Sequence, residues 1–471
     1  MPLRSQSRFR RLAPSLFFCT ALLVAGCATQ PTGPVGPIST GQPRAEPATP
    51  PVDTSNDIPI NPDIELGGER VSQPIDVFED QDFTPPHLRD RDIFRAGVML
   101  PFSDRRAAVR EEAEGMLAAI ELALFDGFNE NYVLLPRDTA GSAETAGAVA
   151  EELVDAGADL ILGPLFGANV APTRDAFAPE PEIQDPLASL FGRSRLDPAS
   201  EFEEEFKPSV PVITFSNDTS VAGPNTWFAS ITPEEEVSEI INYAYLQGYD
   251  AFAFFGPFSS LGQRVEAKMR RDVMLTGGTM IASRFYESGN TNPSTEAESF
   301  ALLIAAEAEL GRKVAVLVPE RGNRLRQVAP LLAFYGVDTR IVKMLGLSSW
   351  NDPEIWREPS LRGAWFPSPP ADEIESFETR YEETYGASPT ALAAAAYDAA
   401  ALSMALSADG MLTTEELMQD QGFAGVNGLF RFREDGTAER SLAIMEVFPD
   451  PEAGGVRQIR PAAPSFDPPA S

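Results

Sequence analysis

Asp159-Leu160-Ile161-Leu162-Gly163-Pro164-Leu165, followed at some distance by Val210-Pro211-Val212-Ile213-Thr214-Phe215-Ser216, decides the fold of this 471-residue chain. Each is a short unbroken apolar run that stops in a turn, the signature of a strand buried on both faces. The same pattern repeats outward. Strands are expected at Ala96–Phe102, Tyr132–Leu135, Ala251–Phe255, Thr279–Tyr286, Val314–Val318 and Thr339–Met344. Between them lie segments of helical period, 105–126, 142–156, 259–276, 294–310 and 321–335. In the first of these Val109, Ala113, Met116, Leu117, Ile120 and Leu124 share a face. Strands alternating with amphipathic helices give an α/β class of mostly parallel sheets covered on both faces. The folded region, 91–460, is too long for one core and predicts two doubly wound lobes around a cleft.

The flanks differ in kind. Arg4, Arg8, Arg10 and Arg11 precede an apolar run, Leu12 to Ala25, which is too short to span a bilayer comfortably. Leu22-Leu23-Val24-Ala25-Gly26-Cys27 ends it. Basic start, short apolar run and small residues at the cut read as a signal peptide over 1–26. Residues 27–90 are rich in Pro, Gly, Ser, Thr and Asp and read as a disordered linker. A coil of that length has a root-mean-square span of roughly 45 Å. Residues 461–471 are again rich in Pro and Ala and read as a frayed tail. Within the fold, 179–208 breaks the rhythm with Glu201, Glu203, Glu204 and Glu205, an acidic insertion or a partner-contact element.

Composition excludes several chemistries. The chain has two cysteines and one histidine. Cys19 lies in the signal, and His87 precedes the first strand. The fold therefore holds no disulfide, no thiol nucleophile, no Ser-His-Asp triad and no histidine or cysteine metal site; chemistry on carboxylates, lysine or an oxygen-bound metal stays open, and no catalytic residue, metal or cofactor is assigned. A formal charge of −33 argues against nucleic acid and anionic lipid surfaces as partners.

Two sets of phrases, with the order of elements, resemble the type I periplasmic binding protein fold, the family of leucine-binding and other branched-chain amino-acid receptors. The first set is Leu160–Leu165 with Val210–Ser216; the second is Tyr397-Asp398-Ala399-Ala400 in an alanine-rich helix with Gly425-Val426-Asn427-Gly428-Leu429-Phe430-Arg431-Phe432. The resemblance covers about 93–450. It implies lobe crossings near Trp227–Thr232 and Ala364–Pro370, and a terminal hairpin, turning again at Asp435-Gly436, on the second lobe. It places candidate ligand contacts at Phe102, Ser103, Leu165, Phe166, Ser216, Asn217, Asp218, Thr219, Phe258, Ser259 and Ser260. The loop Ser216–Ser220 reads equally as turn chemistry, because Asn, Asp and Ser bond their own backbone. The loop 163–169 lacks the hydroxyl that the receptors carry there.

The flank at Cys27 resembles a lipoprotein signal. That implies lipidation of Cys27 and, with Ala28 rather than Asp next, the periplasmic face of the outer membrane. Signal, linker and depleted ligand loop together resemble the outer-membrane lipoprotein activators of penicillin-binding proteins. This family's members bind a bifunctional peptidoglycan synthase and are not enzymes; its best-known members add a helical-repeat domain for which 28–90 is too short. The implied partners are a bifunctional penicillin-binding protein, a membrane through the lipid alone, and a small molecule or muropeptide in the cleft. The alternative implied by the wider family is a lipid-anchored amino-acid receptor of an ABC uptake transporter.

Overall fold

The computed structural model describes residues 92–127, 129–177, 210–289, 292–448 and 455–466. The signal, Cys27, the linker and the acidic insertion lie outside the described residues. The first lobe opens with β1 (Phe94–Leu100), α1 (Ala107–Gly127), β2 (Tyr132–Asp138), α2 (Ala143–Asp155), β3 (Leu160–Leu162), α3 (Gly167–Ala176), β4 (Val212–Thr214) and β5 (Thr226–Phe228). The second follows with α4 (Pro233–Leu246), β6 (Ala251–Phe258), α5 (Ser260–Thr276), β7 (Thr279–Glu287), α6 (Ser294–Glu309), β8 (Val314–Leu317), α7 (Gly322–Phe334), β9 (Lys343–Leu345), α8 (Pro353–Trp356) and β10 (Trp365–Ser368). The chain then returns through α9 (Ala371–Tyr385), α10 (Ala393–Leu406), α11 (Thr414–Leu417), β11 (Phe423–Gly425), β12 (Gly428–Phe432) and β13 (Ala438–Arg440), and ends in β14 (Ala443–Phe448) and β15 (Gly455–Arg460).

The first sheet runs β2-β1-β3-β4-β5, all parallel. The parallel part of the second, β7-β6-β8-β9-β10, repeats that order, and antiparallel β14 and β15 extend it. Alternation of side chains explains the apolar runs. Ala96, Val98 and Leu100 of β1 face the core with α1 and α10, whereas Met99 faces the core with α2. Ala251, Ala253 and Phe255 of β6 face α6 and α7, whereas Phe252 and Phe254 face α4 and α5. Both faces are dry along Ala96–Leu100 and Ala251–Phe255, so no polar side chain interrupts those runs. Gly163 follows β3 at φ 124°, where a Cβ would lie 2.4 Å from the Met99 carbonyl oxygen; only glycine fits.

Three crossings join the lobes, at 229–232, 369–370 and 441–442. Trp227 and Trp365, expected within crossings, instead sit in β5 and β10. The hairpin also departs from expectation, because β12 and β13 pack on the first lobe. Phe430, Phe432 and Ala438 join the core of Ile213 and Trp227, and the Gly436 carbonyl accepts from Phe228 N at 3.2 Å. The hairpin thereby covers the edge strand β5 and buries two phenylalanines that would otherwise face water. Residues 461–466 correct the expectation of a wholly frayed tail. Ala463 N donates to Ser441 Oγ at 2.6 Å, and Phe466 lies under the Arg431 guanidinium at 4.5 Å.

The second pair of phrases proves to be one unit. Asp398 of α10 accepts from Val426 N at 2.6 Å and Asn427 N at 3.0 Å, closing the β11–β12 turn. Burial pushes its carboxyl up to about 6 against those two donors. Glu236, buried in the first turn of α4, is likewise pushed by burial up to about 7, although Ser348 N donates to it at 2.8 Å.

Asp398→Ala leaves two amide donors without an acceptor and is expected to cost about 1–3 kcal/mol in urea unfolding. A raised carboxyl pKa means that the folded chain holds the proton more tightly than the unfolded one. The stabilisation is therefore complete below the ordinary carboxylate values and is lost as pH rises through about 6 for Asp398 and about 7 for Glu236. The thermal midpoint is expected to rise as pH falls from about 8 to about 5, and Glu236→Gln to flatten the upper part of that slope. An unchanged slope in the variant refutes the assignment to Glu236.

Candidate functional site

In open α/β sheets of this strand order, the loops at the carboxyl ends of the first and third strands flank the switch point where ligands bind. In the first lobe those are the loops after β1 and β3, with the loop after β4 beside them; in the second they follow β6 and β8. The candidate residues fall on four of these five loops.

Phe102 is half-buried after β1, and the Ser103 amide donates to Asp138 Oδ1 at 3.2 Å. Burial opposes ionisation of Asp138, but this bond and one from Ala140 N at 2.8 Å hold its carboxyl below the usual value. Leu165 is half-buried against the first core. Phe166 caps α3 and lies 5.0 Å under the Arg106 guanidinium. Arg106 hydrogen-bonds Asp104 through Nε and Nη2, each at 2.9 Å, and those bonds hold the Asp104 carboxyl at about 2.

The loop after β4 carries the most polar atoms, and the protein itself engages them. Ser216 is buried; its amide donates to Thr214 Oγ1 and its Oγ accepts from Asp218 N, both at 3.1 Å. Asp218 Oδ1 accepts from Ser220 N at 3.1 Å and Ser220 Oγ at 2.7 Å, the turn chemistry that the sequence allowed. Asp218 Oδ2 comes within 3.6 Å of where a Cβ on Gly167 would stand. The protein's own carboxylate thus lies against the first residue of α3, the position at which a helix favours an anion.

Across the cleft, Ser259 caps α5 by accepting from Gly262 N at 3.1 Å, and Ser260 begins the helix. Phe258 is 61 % exposed and packs edge-on to Phe285 at 5.7 Å. One helical turn into α5 stands Arg264, which the sequence did not single out. Its Nη1 donates to Asp218 Oδ1 at 2.6 Å, Nη2 to the Asn217 carbonyl at 2.8 Å, and Nε to Glu234 Oε1 at 2.8 Å. Thr219 Oγ1 adds a bond to the same Glu234 oxygen at 3.0 Å. Arg264 thereby brings the two halves of the candidate set together. Asp218 feels burial in one direction, and Ser220 and the Arg264 charge in the other; the latter prevail and its carboxyl stays below the usual value.

The loop after β8 supplies a second unanticipated group. Glu320 shares a short hydrogen bond with the Tyr286 hydroxyl, and Arg324 lies over that ring at 5.1 Å. Burial raises the Tyr286 and Glu320 pKa values together. Neither Arg264 nor Glu320 carries a local sequence signal, since each is a charged residue near the start of an amphipathic helix. Among the described residues no group of three or more His, Cys, Asp and Glu side chains could hold a metal ion, and no helix is long and apolar enough to cross a membrane.

The family model for periplasmic binding proteins matches residues 94–452. Among solved structures, a Rhodospirillum rubrum protein provisionally assigned to branched-chain amino acid ABC transport is similar at 18% identity and a TM-score of 0.60, covering 78% of this chain and 100% of its own. An ABC-type branched-chain amino acid transporter protein from Rhodopseudomonas palustris reaches a TM-score of 0.58 at 14% identity, with 78% and 96% covered. An ABC transporter substrate-binding protein from Sphaerobacter thermophilus reaches 0.56 at 18%, with 79% and 98% covered. At these identities the likeness is one of fold. No curated protein matches the chain.

Arg264 is 19 % exposed, so its bonds are partly shielded. Arg264→Ala is expected to cost about 2 kcal/mol in denaturant unfolding and to widen the interlobe distribution in small-angle scattering. Unchanged scattering would show that the latch does not set the lobe angle.

Proposed function

The chain belongs to the periplasmic binding protein family, and from that premise we propose that it is a non-enzymatic lipoprotein on the periplasmic face of the outer membrane. It binds and activates a bifunctional penicillin-binding protein. The observation that carries this reading is the Arg264 latch. A solute shifts a two-lobed protein toward closure only by the contacts it makes in the closed state and not in the open one. Here the protein's own side chains make bridging contacts, Arg264 to Asp218 and Thr219 to Glu234. The loop Gly163–Asn169 has no hydroxyl to offer a carboxylate, and the Asp218 carboxylate lies close to the first residue of α3. A bilobed body held together from within acts through its surface, and the lipid signal at Cys27 with its long linker carries that surface away from the membrane.

A second reading is a lipid-anchored amino-acid receptor of an ABC transporter. It is favoured by the family itself and by the structural relatives named for branched-chain amino-acid transport.

The deciding experiment uses the full-length chain in detergent. The activator reading expects co-purification of a bifunctional penicillin-binding protein, faster glycan synthesis when the two are mixed, and an unchanged melting curve with leucine, isoleucine or valine. A ligand at a hundredfold excess over its Kd adds about 2.7 kcal/mol. A melting shift of that size with an amino acid, together with capture of a permease, replaces the first reading with the second. A shift with muropeptides alone leaves the activator reading in place and assigns the cleft to cell-wall fragments.

A further inference from the structure

A trough of about 890 Å³ opens between Pro370 and the start of α9, the β11–β12 hairpin, Gln458 of β15 and the segment 461–464, with no residue of the candidate cleft loops in its lining. Its floor is apolar, with Phe377, Tyr397, Val426 and Leu429. The floor is also fixed in place: Phe377 and Tyr397 pack at 5.4 Å, and the Tyr397 hydroxyl donates to Asp126 Oδ2 at 2.9 Å.

One side of the trough is the edge strand β11. Ala424 pairs with Leu429. The Leu429 carbonyl points the other way, accepting from Ser441 N at 2.8 Å. The pair is therefore of the non-hydrogen-bonded kind, and the N–H and C=O of exposed Ala424 face outward from the hairpin. An outward amide and carbonyl beside an apolar floor form a template for another strand.

The charge at the rim is one-sided. Arg380, the cation lining the trough, is bound by Asp126, with Nε to Oδ2 at 2.9 Å. Asp372 and Glu373 stand exposed at the rim, with no ion pair among the described residues.

We propose that this trough is a docking site for an extended segment of a protein partner, added as a strand to β11, with apolar side chains on the floor and a basic side chain against Asp372 and Glu373. The inference goes beyond the activator reading and does not use it, because it rests on the trough alone and names the chemistry of the bound segment, not the partner.

The test uses the full chain and two fluorescein-labelled short peptides, one alternating valine with arginine and one alternating valine with glutamate, followed by anisotropy at physiological salt. The arginine peptide is expected to bind saturably and the glutamate peptide about tenfold more weakly or not at all. Asp372→Asn with Glu373→Gln is expected to weaken the arginine peptide about tenfold. Glu298→Gln with Glu309→Gln makes the same change in net charge on α6 and is expected to leave binding unchanged. Ala424→Pro removes the outward amide and is expected to weaken binding as well; if that variant fails to fold, the rim pair decides. Equal losses from both charge pairs would reduce the effect to general attraction by an acidic protein and overturn the proposal. So would an absence of saturable binding, or a folded Ala424→Pro variant that binds as the parent does.

Discussion

Arg440 stands where the chain passes between lobes, and the arrangement of the rest depends on it. It ends β13, the last strand of the first lobe, just before the third crossing. It is 4 % exposed. Its Nη2 donates to the Ala229 carbonyl of the first crossing at 2.9 Å, its Nε lies 3.7 Å from Glu235 Oε1, and its guanidinium covers the Phe430 ring at 4.8 Å. Burial raises the Glu235 pKa, and the Arg440 charge pulls it back. A buried ion pair of this kind contributes little over an apolar substitute, yet losing one partner leaves a bare charge in a dry place. It therefore fixes where two crossings lie more than it adds to stability. The second crossing is held in the same knot. A Cβ on Gly428 would meet both the Ser441 carbonyl oxygen, at 2.9 Å, and Pro370 Cδ, at 3.1 Å.

From that knot two sheets of identical parallel order point their carboxyl edges at a common cleft. The geometry would place any solute between the loop after β4 and the start of α5. Arg264 spans that gap with two donated bonds to the loop after β4, and two more tie it to Glu234 of its own lobe. The loop after β4 and the second lobe thus meet through the protein's own side chains. The loops make a brace, because the Asp218 carboxylate after β4 and the Arg264 cation in the first turns of α5 satisfy one another.

The strands and helices were legible because burial on both faces forces unbroken apolar runs, as in Leu160–Leu162 and Ala251–Phe255, and because helix faces repeat. The boundaries shifted by a few residues where a strand outran its apolar core, as β2 does at Arg137 and Asp138. What was not legible depends on pairs far apart in the chain. Nothing near Arg264 announces Asp218, and nothing near Asp398 announces Val426, although both phrases containing Asp398 and Val426 stood out. The hairpin was placed on the wrong lobe for the same reason. Its strand pattern is plain, but whether Phe430 and Phe432 enter one core or the other is decided by the crossing at Arg440. The candidate list named residues on loops that face one another and missed Arg264, which joins two of them.

The hairpin also links the knot to the lobe's outer flank. Gly425 is so close to α10 that a Cβ would meet the Asp398 carboxylate at 2.7 Å, and Gly428 is pressed against Pro370 and Ser441. Asp398 thus holds one turn between α10 and the crossings, with a carboxyl at about 6 and two amide donors to keep it in place. Pro370 and Gly428 line the trough beside β11 and also bound the second crossing. The trough and the second crossing therefore share Pro370 and Gly428. A side chain larger than glycine at 425 or 428 would have to displace a carboxylate in one case and backbone in the other, so the sequence Gly-Val-Asn-Gly is constrained at both ends by packing, not by the turn alone.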